Sequence, residues 1–213
     1  ELRPTFVSLV DDTGMGADVI RKLKNHKVNT DYIWKTRDGM GTWLAVFDNE
    51  EVGSSTKQGA NSTFLDMTLA AIAGSRAQYA KMLSNSFMIS ADNAHAVHPN
   101  HPELADSSNM PKLSEGVVVK YNANQRYTTD AVSDALFRSF ADRCGIKLQS
   151  YYNRADMLGG STLGSISNTS VSVKTVDVGL PQLAMHSSFE TAGKDDTAHM
   201  TNALKLFYSS TLK

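Results

Sequence analysis

Short apolar runs of strand type alternate with helical segments along this chain, and carboxylates follow directly after several of the runs. Thr5–Val10 leads into Asp11-Asp12, Trp43–Phe47 into Asp48-Asn49-Glu50-Glu51, and Phe87-Met88-Ile89 into Ser90-Ala91-Asp92. Further strands are expected at 29–34, 116–121, 146–152 and 175–178. Helices are expected at 17–25, 63–73, 76–83, 129–144 and 195–208 from the spacing of their apolar residues. Thr128 or Thr129 is the candidate cap of the fourth helix, and Gly145 its stop. Pro99 to Pro111 holds three prolines and reads as a long exposed loop. Alternation of this kind predicts an α/β fold with a mostly parallel or mixed central sheet flanked by helices. Open sheets of this class bind ligands beyond the carboxyl ends of their strands, which is where Asp11, Glu50, Glu51 and Asp92 fall.

The chain has 213 residues, enough for one sizeable domain, and that is the organisation expected for 1–213. A net charge of −1 gives no electrostatic footprint for nucleic acid or an anionic membrane. No stretch approaches the roughly 20 apolar residues of a membrane span. The first residues, Glu1-Leu2-Arg3-Pro4, lack the basic-then-apolar order of a secretory signal and also lack a methionine, as processing or truncation would leave them. A single cysteine, Cys144, cannot form an internal disulfide, which fits a reducing, cytoplasmic setting.

Two adjacent glutamates at the end of a buried strand carry a large desolvation penalty unless their charge is compensated. A divalent metal compensates it simply: one carboxylate ligates while its neighbour takes a proton from a metal-held water. An isolated Glu-Glu pair is more often a solvated turn, but other segments supply matching groups. Ser90-Ala91-Asp92-Asn93-Ala94-His95-Ala96-Val97-His98 places Asp92 and two histidines after a strand, where they ligate, orient a ligand or donate to an oxyanion. Leu183-Ala184-Met185-His186-Ser187 delivers one histidine at the end of an apolar approach; a core histidine has the same signature. His26, His101 and His199 have no supporting context and read as surface residues. Lys120-Tyr121-Asn122-Ala123-Asn124-Gln125-Arg126-Tyr127 sets cations after a strand, where a substrate carboxylate can be held, although a solvated turn has the same composition. Asp156–Gly164 is glycine-rich but lacks the lysine and spacing of a phosphate loop.

Taken together these segments resemble the M18 family of metalloaminopeptidases, the aspartyl aminopeptidases. The likeness is carried by Phe47–Ser54, Ser90–Asn100, Asn122–Tyr127, Asn153–Met157 with Gly160-Ser161-Thr162, and Thr175–Gly193, and it extends over about Trp43 to Ser210. The resemblance implies a zinc-exopeptidase-like catalytic domain with two divalent metal ions sharing a bridging aspartate. Zinc suits the ligand set, and manganese and cobalt accept it too. Carried over residue by residue, the resemblance implies Glu50 as general base, Glu51 as a metal ligand, Asp92 as a ligand of one metal and His186 of the other, and Asp11 in the bridging position. His95, Lys120 and Tyr127 fall at substrate-binding positions. The implied reaction is attack by a metal-held water on the first peptide carbonyl, preferably after an acidic N-terminal residue. Peptides with acidic N-termini are the implied partners, in a full-length protein that forms a homo-oligomer. The chain departs from the family in two respects: 13–41 does not match the family pattern, and no His-x-Asp motif precedes Asp11. It is also about half a family member's length. Two alternatives stand beside the aminopeptidase: a dimetal hydrolase of other specificity, and a non-catalytic homologue or fragment that binds peptides or partners.

Overall fold

The computed structural model describes residues 5–11, 14–25, 29–36 and 59–210. They belong to two compact units, Glu1–Val46 and Phe47–Lys213. In the first, strand β1 (Thr5–Asp11) pairs in parallel with β2 (Asn29–Thr36), and helix α1 (Gly14–Asn25) makes the crossover. The expected strand at Trp43–Phe47 and the Glu50-Glu51 pair lie outside the described residues.

Among the described residues, the first elements of the second unit are two helices, α2 (Phe64–Ala73) and α3 (Arg76–Ser84). Gly74 ends α2 in the left-handed conformation, and Ser75 caps α3 by accepting from the Gln78 N–H. A four-stranded sheet follows, ordered β3 (Phe87–Ala91), β7 (Lys174–Gly179), β5 (Val117–Tyr121), β6 (Leu148–Tyr152). β7 runs parallel to β3 and antiparallel to β5, while β5 and β6 are parallel, so the sheet is mixed. A smaller sheet joins β4 (Ala94–His95), β8 (Pro181–Leu183) and β9 (Thr191–Ala192). These short strands and the five-residue helix α5 (Leu163–Ser167) were not anticipated, being too short to show a period. The 99–111 segment is largely irregular as expected, apart from one 3₁₀ turn at Pro102–Leu104.

The core forms around β5, a run of three valines, and β7, in which Val176 and Val178 alternate with the buried polar Thr175 and Asp177. Val117, Val119, Val176 and Val178 pack with Phe137 and Ala141 of helix α4 (Ala131–Arg143) and with Met200 and Ala203 of helix α6 (Lys194–Ser209). The cap of α4 differs from expectation. Asp130 caps it in a reciprocal box with Ser133. Thr128 and Thr129 are instead engaged with Asp177 of β7: Thr128 donates both its N–H and its hydroxyl to the carboxylate, at 2.6 and 2.7 Å, and the Asp177 N–H donates to Thr129 Oγ1. In the same way Asp196, fully buried on α6, accepts from the N–H groups of Ser114 and Gly116 and anchors the approach to β5.

Candidate functional site

A cavity of about 620 Å³ in the second unit is lined by Asp92, His95, Lys120, Tyr127 and His186, residues drawn from widely separated parts of the chain. Asp92 follows β3 directly, and Gly179 lets it approach β7: a Cβ at position 179 lies 2.0 Å from the Asp92 carbonyl oxygen. The Asp92 N–H donates to Val178 O and the Ala94 N–H to Leu180 O, so the turn between β3 and β4 lies along the β7–β8 strand. His186 ends a turn after β8 in which Ala184 and His186 both have positive φ, 55° and 64°. Non-glycine residues pay a steric cost there, of order 1 kcal/mol or more. The Glu190 carboxylate holds the His186 N–H at 2.6 Å and supports the conformation.

The simple rule that ligands lie beyond one row of strand ends does not describe this cavity. β3 and β5 run in opposite directions, because β7 is parallel to one and antiparallel to the other. Asp92 reaches the cavity from the carboxyl end of β3, whereas Lys120 spans back to it from within β5. The Lys120 side chain is only 3% exposed. Its ammonium donates to the carbonyls of Asp92 (2.9 Å) and Asn93 (3.2 Å), and lies 3.9 Å from the Asp92 carboxylate. Burial pulls its pKa below the ordinary lysine value, and the negative charges of Asp92 and Asp177 oppose that shift. Lys120 thus fixes the main chain around Asp92.

His95 keeps an exposed edge while its ring faces Tyr151, 6.3 Å between centroids. Burial of the ring lowers its pKa; His186 and Lys120 add to the effect and Asp92 opposes it. Tyr127 is 5% exposed and lies under the Lys120 ammonium, 5.4 Å from ring centre to nitrogen. Burial raises its pKa, and neighbouring Asn153 and Tyr151 draw it back.

Of the candidate metal ligands, Asp92 and His186 line the described cavity. Glu51, like the candidate base Glu50, is outside the described residues, and Asp11 closes β1 in the other unit. Among the described residues no three His, Cys, Asp or Glu side chains are grouped to hold an ion. A carboxylate and an imidazole facing one cavity nevertheless have the donor chemistry of a zinc site that awaits further ligands. Sequence reasoning missed Asp177, Tyr151 and Asn153. Asp177 had a signal, an acid inside the valine run Thr175-Val176-Asp177-Val178. His199, expected at the surface, is half-buried, and its Nδ1 is buried without a hydrogen-bond partner among the described residues. Helix α6 carries it toward Asp196. His101 is exposed, as expected.

Comparison with known proteins decides the family. Residues 28–208 match the family described as aminopeptidase I zinc metalloprotease (M18). The chain belongs to the M18 aminopeptidase family. The match begins further toward the N-terminus than Trp43, and Asp11 precedes it. The chain is similar to the probable M18 family aminopeptidase 2 of Clostridium novyi, at 46% identity over 170 residues, covering 78% of this chain and 39% of the relative. The protein of the same description from Stutzerimonas stutzeri is 43% identical over 167 residues, with the same coverage. The chain therefore spans about two fifths of the length of the curated relatives it matches. Among solved structures, Ape4 in complex with Nbr1 shares a TM-score of 0.72 at 38% identity, over 76% of this chain and 31% of that one. An M18 aminopeptidase from Thermotoga maritima gives 0.61 at 28% identity, over 78% and 39%. The mApe1 dodecamer of S. cerevisiae gives 0.61 at 27%, over 76% and 36%.

Proposed function

We propose that this M18 member is the metal-binding portion of an aminopeptidase that removes N-terminal residues, preferably Asp or Glu, from peptides. The observation that carries the reading is the single cavity gathering Asp92, His95, Lys120, Tyr127 and His186 in a chain of a zinc-metalloprotease family. Asp92 and His186 would hold metal together with Glu51 and Asp11, with two zinc ions as the preferred complement. When bound, zinc polarises the scissile carbonyl and acidifies the attacking water. Glu50 takes the proton of that water as general base. His95 and Tyr127 contact the substrate. The Lys120 charge attracts an acidic side chain of the substrate, and the low dielectric of its site strengthens that attraction. The dodecameric state of an M18 relative supports a homo-oligomer for the full-length protein. Cys144, a free thiol, accords with a cytoplasmic setting.

The test is metal-dependent release of N-terminal Asp or Glu by the full-length protein, with a substrate panel that includes neutral N-termini and acylated amines. Glu50→Ala is expected to lower turnover about a thousandfold while leaving metal content intact. Turnover that survives Glu50→Ala, or no release in the presence of zinc, manganese or cobalt, contradicts the proposal. In the second case, fewer than one tightly bound metal per chain favours a non-catalytic peptide-binding role.

A further inference from the structure

The cavity that gathers Lys120 and Tyr127 also carries large apolar side chains that the proposed chemistry leaves idle. Leu104, Met157, Leu158 and Leu163 all line it. Leu158 is 96% exposed, and the other three are between 45% and 51% exposed. Single leucines at a surface are ordinary, but four apolar side chains gathered on one cavity wall mark a place where apolar groups bind. The wall is assembled from stretches far apart in sequence, and one side chain ties them. The Arg154 guanidinium donates to the carbonyl oxygen of Glu103, the residue before Leu104. It also donates through Nε and Nη2 to the two carboxylate oxygens of Asp156, the residue before Met157, at 2.5 and 2.8 Å. The Met157 N–H closes that turn onto the Arg154 carbonyl at 2.9 Å. An ion pair this open to water adds little to stability, so its effect is on shape: it sets the Leu104 turn beside the Met157-Leu158 loop.

We propose that Leu104, Met157, Leu158 and Leu163 form a subsite for a large apolar side chain on the second or third residue of the peptide, with Arg154 as the positioning residue that holds its two halves together. The assignment follows by elimination and rests on the aminopeptidase reading. In that reading Lys120 takes up the side chain of the first residue, and the metal ligands hold the scissile group. An aminopeptidase substrate has nothing before its first residue. A substrate side chain that meets the apolar wall therefore belongs to a residue after the scissile bond. The preferred substrates are peptides in which an acidic first residue is followed closely by a large apolar one.

The test uses the full-length protein with zinc and three peptides, Asp-Leu-Ser-Ser, Asp-Ser-Leu-Ser and Asp-Ser-Ser-Ser. One of the leucine peptides is expected to exceed the all-serine peptide in kcat/KM by about tenfold, mainly through KM, the scale for burying part of a leucine side chain. Leu158→Ser, at a position too exposed to matter for folding, is expected to remove most of that ratio. Arg154→Ala is expected to do the same, and Arg154→Lys to restore only part of it, because an ammonium lacks the fork that reaches both partners. A wild-type ratio within about twofold of one, or a ratio unchanged in Leu158→Ser combined with Met157→Ser, overturns the subsite. A ratio unchanged in Arg154→Ala overturns the positioning role. A lowered melting temperature or an altered oligomeric state in Leu158→Ser also overturns the proposal, since it shows the wall covered by another part of the full-length protein. Failure to release Asp from any of the three peptides is a separate result: it rejects the aminopeptidase reading itself, and this inference with it.

Discussion

Gly179→Ala is expected to disable the site more thoroughly than removal of most cavity side chains. The added methyl would sit 2.0 Å from the Asp92 carbonyl oxygen, 2.9 Å from the Ala94 nitrogen and 2.9 Å from the Asn93 carbonyl carbon. All three are main-chain atoms, so no rotamer change relieves the contact. The β3–β4 turn must retreat by roughly 1 Å or more, and misplacement on that scale costs about a hundredfold in rate when the displaced group takes part in the chemistry. Two supports break with it: the Asp92 N–H bond to Val178 and the Lys120 bonds to Asp92 and Asn93. Zinc affinity and turnover are expected to fall together by about two orders of magnitude. Thermal stability should fall by about 1 to 3 kcal/mol, as for an overpacked core. Gly160→Ala is the steric contrast, since a Cβ there meets nothing within 4 Å and should alter stability little. Zinc affinity within twofold of wild type in Gly179→Ala would show that the turn is free to move and that Asp92 is not held as described.

Asp177→Ala is expected to destabilise the fold by roughly 3 kcal/mol. Its carboxylate is fully buried between valines and accepts the N–H and hydroxyl of Thr128. Truncation leaves that N–H without an acceptor and opens a void in the buried interior. Asp177→Asn retains one carbonyl acceptor and should recover a good part of the loss. Chemical denaturation compares the two directly. Equal stabilities for the Ala and Asn variants would mean that the Thr128 bonds contribute little and that the burial of Asp177 has another cause.

The fold was legible wherever one element buries one face with a clear period. The valine run of β5, the alternating valines of β7, and the apolar stripe of α4 with Phe137 and Phe140 identify themselves. Strand direction did not, because the antiparallel β5–β7 pairing is set by long-range contacts that no local pattern encodes. The site was legible to the extent that its residues are chemically rare: Asp92, His95, Lys120, Tyr127 and His186 were all named from motif segments and all line one cavity. Their supports were not. Tyr151 and Asn153 line the same cavity but come from a strand end whose composition is ordinary. Lys120 was expected to present a free cation to substrate, yet burial turns most of its donors toward the Asp92 turn, which only the folded chain reveals. The α4 cap was misplaced for a related reason, since a buried acid in β7 competes for Thr128 and Thr129.

The central claim is that Asp92 holds one zinc ion and His186 the other, in a single shared site. Crystals of the full-length protein grown with zinc, with anomalous data collected on both sides of the zinc edge, test this most directly. The predicted result is a peak within about 2.0 to 2.2 Å of an Asp92 oxygen or a His186 nitrogen, in a cavity that both side chains share with Glu51. Zinc bound elsewhere, with Glu51, Asp92 and His186 facing separate cavities, would contradict it.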